Sequence, residues 1–260
     1  MQDLAKFDHL LDFADHLPAI RQKVARDLRK RGLPREKVLA IVVQLLETTL
    51  IRVGNDEYAA QNGSYGLTTM KARHAAIMGE KLRFTFRGKS GKEWRLELKD
   101  RRIARTMRML QDLPGQHLFQ YEGGDGDIRR ITSTDVNNYL REAAAGEATA
   151  KDFRTWAGTV LAASLLTSGE APTSATSAKR ALRDCVASVS KRLGNTPAIC
   201  LKCYVHPAVV KHYLQNTLEL PRRRTPRWLT PEEQSVRLFL RRLRSRMPYR
   251  PALSMKPARV

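Results

Sequence analysis

Along the first fifty residues the apolar positions recur at helical spacing. Phe7, Leu10, Leu11, Phe13 and Ala14 form one stripe, which Leu17-Pro18 should interrupt, because proline lacks a backbone donor and crowds the preceding turn. A basic helix from Ile20 to Lys30 follows and stops at Arg31-Gly32. Pro34 suits the start of another helix, where its missing N–H would be unpaired anyway. From Arg35 the residues Val38, Leu39, Ile41, Val42, Leu45 and Leu46 make the wide apolar stripe of a core helix, with Arg52 at its end.

Near residue 80 the period falls to two. Leu82, Phe84 and Phe86 alternate with Arg83, Thr85 and Arg87, and Trp94, Leu96 and Leu98 alternate with Arg95, Glu97 and Lys99. Alternation on both sides of Gly88-Lys89-Ser90-Gly91 predicts a β-hairpin with Lys89 at its tip. Helices resume after Asp100, with Ile103, Met107 and Leu110 on one face, and Glu122 to Asp127 reads as a loop. A short helix is expected over Asp135 to Arg141, capped by Ser133 or Thr134. Thr149-Ala-Lys-Asp152 has the capping-box spacing and opens a helix through Leu166 that carries Lys151 and Arg154 on neighbouring turns of one face. A long helix from about Ser177 ends at the glycine cap Gly194. Thr196-Pro197 then starts a helix bearing Tyr204 near its far end, and Pro207 restarts the chain as helix. The fold class is therefore mainly α with a small β-hairpin element.

Composition changes the picture at the end of the chain. Residues 221–260 hold 12 Lys and Arg against 2 Glu, and only Glu232 to Arg244 reads as helix. Residues 1–216 are expected to form one domain, and residues 217–260 a basic, flexible C-terminal tail. Over the whole chain, 47 Lys and Arg against 26 Asp and Glu give a formal charge of +21, which attracts polyanions, nucleic acid above all. No apolar run approaches the roughly 20 residues that span a bilayer, and the start of the chain lacks the order of a signal peptide. Three cysteines are too few for a disulfide framework, so a reducing cytoplasm is the expected setting. Cys200-x-x-Cys203 lacks two further ligands at similar spacing, His206 and His212 being a loose offer, so packing beside a helix is expected and no metal.

The chain has no Walker loop, no G-x-S-x-G, no H-E-x-x-H and no carboxylate cluster suited to two metal ions. It offers isolated basic residues at helix ends and turns, plus a tyrosine. Singly, each has an ordinary reading: a solvated helix cap, a surface turn lysine, a core tyrosine. The local sequences carry more. Leu50 to Tyr58 followed by Gly66-Leu-Thr-Thr69 resembles the first arginine motif of type IB DNA topoisomerases. Phe86 to Lys92 resembles their lysine hairpin, and Lys151-Asp-Phe-Arg-Thr-Trp156 their second arginine motif. Leu193-Gly-Asn-Thr-Pro197, leading to Lys202-Cys-Tyr-Val-His-Pro207, resembles the tyrosine motif. The resemblance covers roughly residues 3–216 and is to the poxvirus and bacterial branch of the family.

The resemblance implies the catalytic core shared by type IB topoisomerases and tyrosine recombinases, acting on double-stranded DNA as a monomer. It implies no cofactor, no membrane and a cytoplasmic, nucleoid-associated location. Tyr204 would be the nucleophile, forming a 3′-phosphotyrosyl bond that conserves bond energy, so that religation needs no ATP. Arg52 and Arg154 would clamp the phosphate oxygens, Lys89 would protonate the departing 5′-oxygen, and Lys151 would assist that transfer. Asn195 stands where some members carry histidine; its amide donates a hydrogen bond without charge. Leu201 stands where a basic residue is more usual. Relatives also carry a small β-rich N-terminal domain, so a chain starting at the catalytic domain's first helix should bind duplex more weakly and more salt-sensitively.

Two other readings stand beside this one. Tyrosine recombinases share the chemistry, but their second motif usually begins with histidine where Lys151 stands. A non-catalytic DNA-binding module fits the charge equally well, but has no use for the full set of Arg52, Lys89, Arg154 and Tyr204.

Overall fold

The computed structural model describes residue 7 and residues 9–246. The first helix, α1 (Leu10–Asp27), runs straight through Pro18, where a break was expected. Leu10, Phe13, Leu17, Ile20 and Val24 fall on one buried stripe, so packing of both halves outweighs the one backbone bond that proline forfeits. Helix α2 (Arg35–Thr49) lies against it, almost wholly apolar where it enters the core. Leu50 ends α2 in the left-handed conformation, φ 58°, and turns the chain out toward Arg52. A short helix, α3 (Asp56–Asn62), capped by the Asn55 side chain, follows; the apolar pattern gives no hint of it because none of its residues is buried.

The predicted hairpin is present as β2 (Lys81–Arg87) and β3 (Glu93–Lys99), with β1 (Ala75–Met78) completing an antiparallel meander. Phe86 lies opposite Trp94, and their rings stack 6.1 Å apart. Helix α4 (Arg101–Gln111) starts at the Asp100 cap. The expected loop at 122–127 is the turn of a second small hairpin, β4 (Gln120–Glu122) with β5 (Ile128–Arg130). Helix α5 (Ser133–Ala144) is capped by Thr132, one or two residues before the expected caps, through a reciprocal bond with Asp135.

Helix α6 (Ala150–Ser168) is the central helix, packed against α1, α2, α5 and the helices that follow: α7 (Ala175–Leu193), α8 (Pro197–Tyr204) and α9 (Pro207–Leu214). The last helix, α10 (Pro231–Arg246), covers the piece of the tail that reads as helix, Glu232 to Arg244, and is docked where a flexible tail was expected, whereas residues 217–226 have no regular structure. Val236, Phe239 and Leu240 join the same hydrophobic core as the rest of the chain. Glu233, itself buried, accepts two bonds from Arg21 at 2.7 and 2.8 Å and one from Trp156 at 3.2 Å, while Arg237 and Arg241 grip Asp15 at 2.5 and 2.7 Å. Three of the arginines that read as a solvated arm, Arg237, Arg241 and Arg244, pair instead with Asp15 and Asp12 of α1. Residues 247–260, the rest of the expected tail, lie outside the described residues.

Candidate active site

Three helices, α2, α7 and α8, end at one place, and their last carbonyls have no partners within their own helices. Helix α6 supplies them. Arg154, 3% exposed, donates one terminal nitrogen to Leu50 O at the end of α2 and the other to Leu193 O at the end of α7, the latter at 2.7 Å. A guanidinium between two helix C-termini is favourably placed with respect to their dipoles. The consequence is positional. Arg52 follows Leu50 by two residues and Asn195 follows Leu193 by two, so pinning both helix ends brings these side chains together, and Arg52 donates to Asn195 Oδ1.

The first arginine motif is held by a second set of bonds. Leu67 N and Thr68 N donate to Arg52 O and Val53 O at 2.9 and 2.7 Å, tying the 66–69 segment to the 52–53 segment. Tyr65 N donates to Arg87 O at 2.8 Å, which attaches the hairpin to the same segment. The hairpin is fixed from its other side by Trp94, whose indole lies over Gly194 so closely that no Cβ could fit there. Gly194 also has φ +66°, so only glycine meets both demands at the end of α7.

These constraints shape a cleft of about 630 Å³. Its walls include Arg52, Lys89, Lys151, Arg154 and Tyr204 together, drawn from four separate stretches of the chain. Lys89 sits on the exposed hairpin tip, its ammonium 5.7 Å from the centre of the Tyr58 ring. Lys151 is exposed on the first turn of α6. Tyr204 is half-buried as the last residue of α8, and the Arg154 guanidinium lies 5.0 Å from its ring centre, a cation–π contact. Asn195 does not reach the cleft wall itself; it stands behind Arg52. Arg87 also lines the cleft, a cation overlooked in the sequence because its place in the alternating strand reads as an ordinary solvated position.

No Asp or Glu is among the residues lining the cleft. Burial, and after it the neighbouring Arg52, pull the Arg154 guanidinium below its ordinary value. An arginine does not respond by losing its proton. The site instead carries uncompensated positive charge, and an anion entering it would relieve that repulsion. Two buried donors are left over as well: Arg154 Nε and Asn195 Nδ2 have no partner. Such groups are costly to bury alone and are expected to meet an acceptor.

The sequence model of the eukaryotic DNA topoisomerase I catalytic core matches residues 1–225. The chain belongs to this family. Among topoisomerase I relatives, a mimivirus protein from Acanthamoeba polyphaga mimivirus named DNA topoisomerase 1B is 29% identical over 218 residues, covering 81% of this chain and 65% of that protein. The fungal DNA topoisomerase 1 of Mycosarcoma maydis is 24% identical over 182 residues, covering 63% of this chain and 18% of that protein. The chain thus spans somewhat less than two thirds of the viral relative and a small part of the fungal one. The helical architecture with its small antiparallel sheet is that of the topoisomerase I catalytic core.

Proposed function

We propose that this chain is the catalytic unit of a type IB DNA topoisomerase, relaxing supercoiled duplex DNA through transient cleavage of one strand. The observation that supports this most is the cleft itself: five cations and no carboxylate beside Tyr204, with the buried Arg154 Nε unpartnered there. A phosphodiester supplies the missing negative charge and a missing acceptor at once. The names of the viral and fungal relatives point the same way.

In this reading Tyr204 Oη attacks the scissile phosphorus as the bond from phosphorus to the 5′-oxygen breaks. The phenol proton leaves to solvent, and the departing 5′-oxygen takes a proton from Lys89, with Lys151 assisting. The product is a 3′-phosphotyrosyl ester and a free 5′-hydroxyl; the reverse reaction reseals the strand, and no electrons change hands. Arg52 and Arg154 stabilise charge on the pentacoordinate phosphorus, with Arg154 also donating to a non-bridging oxygen, while Asn195, expected to donate there itself, stands behind Arg52 and acts by holding that guanidinium. One N–H of each Arg154 terminal nitrogen is engaged by a carbonyl, which leaves the second N–H of each and the unpartnered Nε to offer. No metal or small-molecule cofactor enters this scheme. A monomer acting on double-stranded DNA in the cytoplasm belongs to the same proposal.

The test is relaxation of a negatively supercoiled plasmid lacking recombination sites, with detergent added to trap adducts. Wild-type protein should relax it and leave protein on 3′ ends, whereas Tyr204→Phe should do neither while binding duplex nearly as well. Adduct formation by the Tyr204→Phe protein would exclude this tyrosine as nucleophile.

A further inference from the structure

Helix α6 caps three converging helix ends, and Arg154 accounts for two of them. The third is the end of α8, where Tyr204 itself is the last residue. Its carbonyl accepts from the Thr159 hydroxyl at 3.3 Å. The same oxygen of Thr159 accepts from His206 N at 3.1 Å, so that one wholly buried hydroxyl holds the backbone on both sides of Val205. Beside it, Gly158 permits the approach: a Cβ there would lie 2.5 Å from Tyr204 O and 3.1 Å from Tyr204 Cβ. Lys151, Arg154 and Gly158 are spaced by three and four residues, which puts them on one face of α6. The helix that carries the proposed phosphate clamp is therefore also the surface on which the tyrosine rests.

Resting on the reading of Tyr204 as nucleophile, we propose that Gly158 and Thr159 are positioning residues that seat this tyrosine at the Arg154 clamp. The seat acts through backbone: it fixes the last turn of α8 by satisfying a helix-end carbonyl that would otherwise be orphaned. It touches neither the phosphodiester nor the phenol oxygen. Its loss should therefore slow the nucleophile's approach and leave duplex affinity and leaving-group chemistry alone. A misplacement of about 1 Å in a reacting group lowers rates on the order of a hundredfold.

The experiment is single-turnover cleavage of a suicide duplex by wild-type protein, Thr159→Val, Thr159→Ser and Gly158→Ala. Thr159→Val keeps the shape without the hydroxyl and should cleave about a hundredfold more slowly, as should Gly158→Ala. Thr159→Ser retains the hydroxyl and should recover most of the rate. Duplex affinity, measured in a Tyr204→Phe background, should be unchanged by the Thr159→Val substitution. A substrate with sulfur as the 5′-bridging atom needs no proton on its leaving group. It should rescue Lys89→Ala and leave Thr159→Val slow, a split that separates the seat from leaving-group chemistry, while the unchanged duplex affinity separates it from loss of structure. Rescue of Thr159→Val by the sulfur substrate, or cleavage by it at the wild-type rate, overturns the seat. Should the substituted proteins not fold, hydrogen exchange of wild-type protein decides. The His206 amide should be protected without DNA, and rapid exchange there overturns the proposal. Absence of adducts with wild-type protein would instead count against the nucleophile reading itself.

Discussion

Two regions of this molecule bury arginines and treat them in opposite ways. At the junction of α1 and α10, Arg21 meets Glu47 and Glu233, and Arg237 meets Asp15, so each guanidinium has a carboxylate within 2.5 to 2.8 Å. In the cleft, Arg52 and Arg154 face each other, and their partners are carbonyl and amide oxygens that carry no charge. The first arrangement closes its own electrostatics and holds the chain's end in place. The second is electrostatically incomplete and gains from a polyanion. Charge pairing, more than burial or residue type, separates the structural arginines from those fit to bind phosphate.

The contrast can be broken most severely at Arg52. Arg52→Ala should reduce the cleavage rate by about 10²- to 10³-fold through lost charge stabilisation. Thermal stability should hold or rise slightly, because Arg154 loses a like-charged neighbour. A large fall in melting temperature would mean that Arg52 is structural after all. The opposite pattern is expected at Glu233. Glu233→Ala leaves Arg21 with one acid, frees Trp156 Nε1 and removes the capping bond to Thr230 N, so urea unfolding should show a loss of about 3 kcal/mol. Cleavage per folded molecule should match wild type.

His206 sharpens the comparison, because a buried histidine has an option that arginine lacks. Burial with no acid to pair it pushes its imidazole down to about 4, so it stays neutral, and Nδ1 accepts from Ala208 N at 3.1 Å to start α9. The unfolded chain takes up the proton near the ordinary value of 6.5, while the folded chain does not until about 4. Stability should therefore fall as pH drops from about 6.5 toward 4, by about 2 kcal/mol at pH 4.5, and level off below. His206→Asn keeps a capping acceptor without the titration, and the pH dependence over that window should shrink accordingly. An unaltered pH profile in His206→Asn would assign the effect to other groups.

What was legible in the sequence divides along the same physical lines. Short-range signals spoke clearly: the alternation around Gly88 to Gly91 located Lys89, and the caps at Thr149 and Thr196 located the helices of Arg154 and Tyr204. The family motifs singled out Arg52, Lys89, Lys151, Arg154 and Tyr204, which share the cleft, but also Asn195, which stands behind Arg52, and they passed over Arg87. Long-range pairing left no trace. Arg21 and Glu233 stand far apart in the chain, so the docking of α10 could not be foreseen from a basic composition that looks solvated. Pro18 misled because a local rule was overruled by the stripe on either side of it. Thr159 escaped notice since a hydroxyl bonded to backbone has no motif; its role exists only where α8 meets α6.

Whether Tyr204 Oη is the atom that bonds to phosphorus can be read directly. A duplex whose cleavage releases a short 5′-hydroxyl fragment traps the protein on the remaining strand, and the adduct can be digested and sequenced by mass spectrometry. The expected product is one peptide, spanning Tyr204, that carries a 3′-linked nucleotide on the phenol oxygen. A nucleotide on any other residue, or linkage through a 5′-phosphate, would contradict the account.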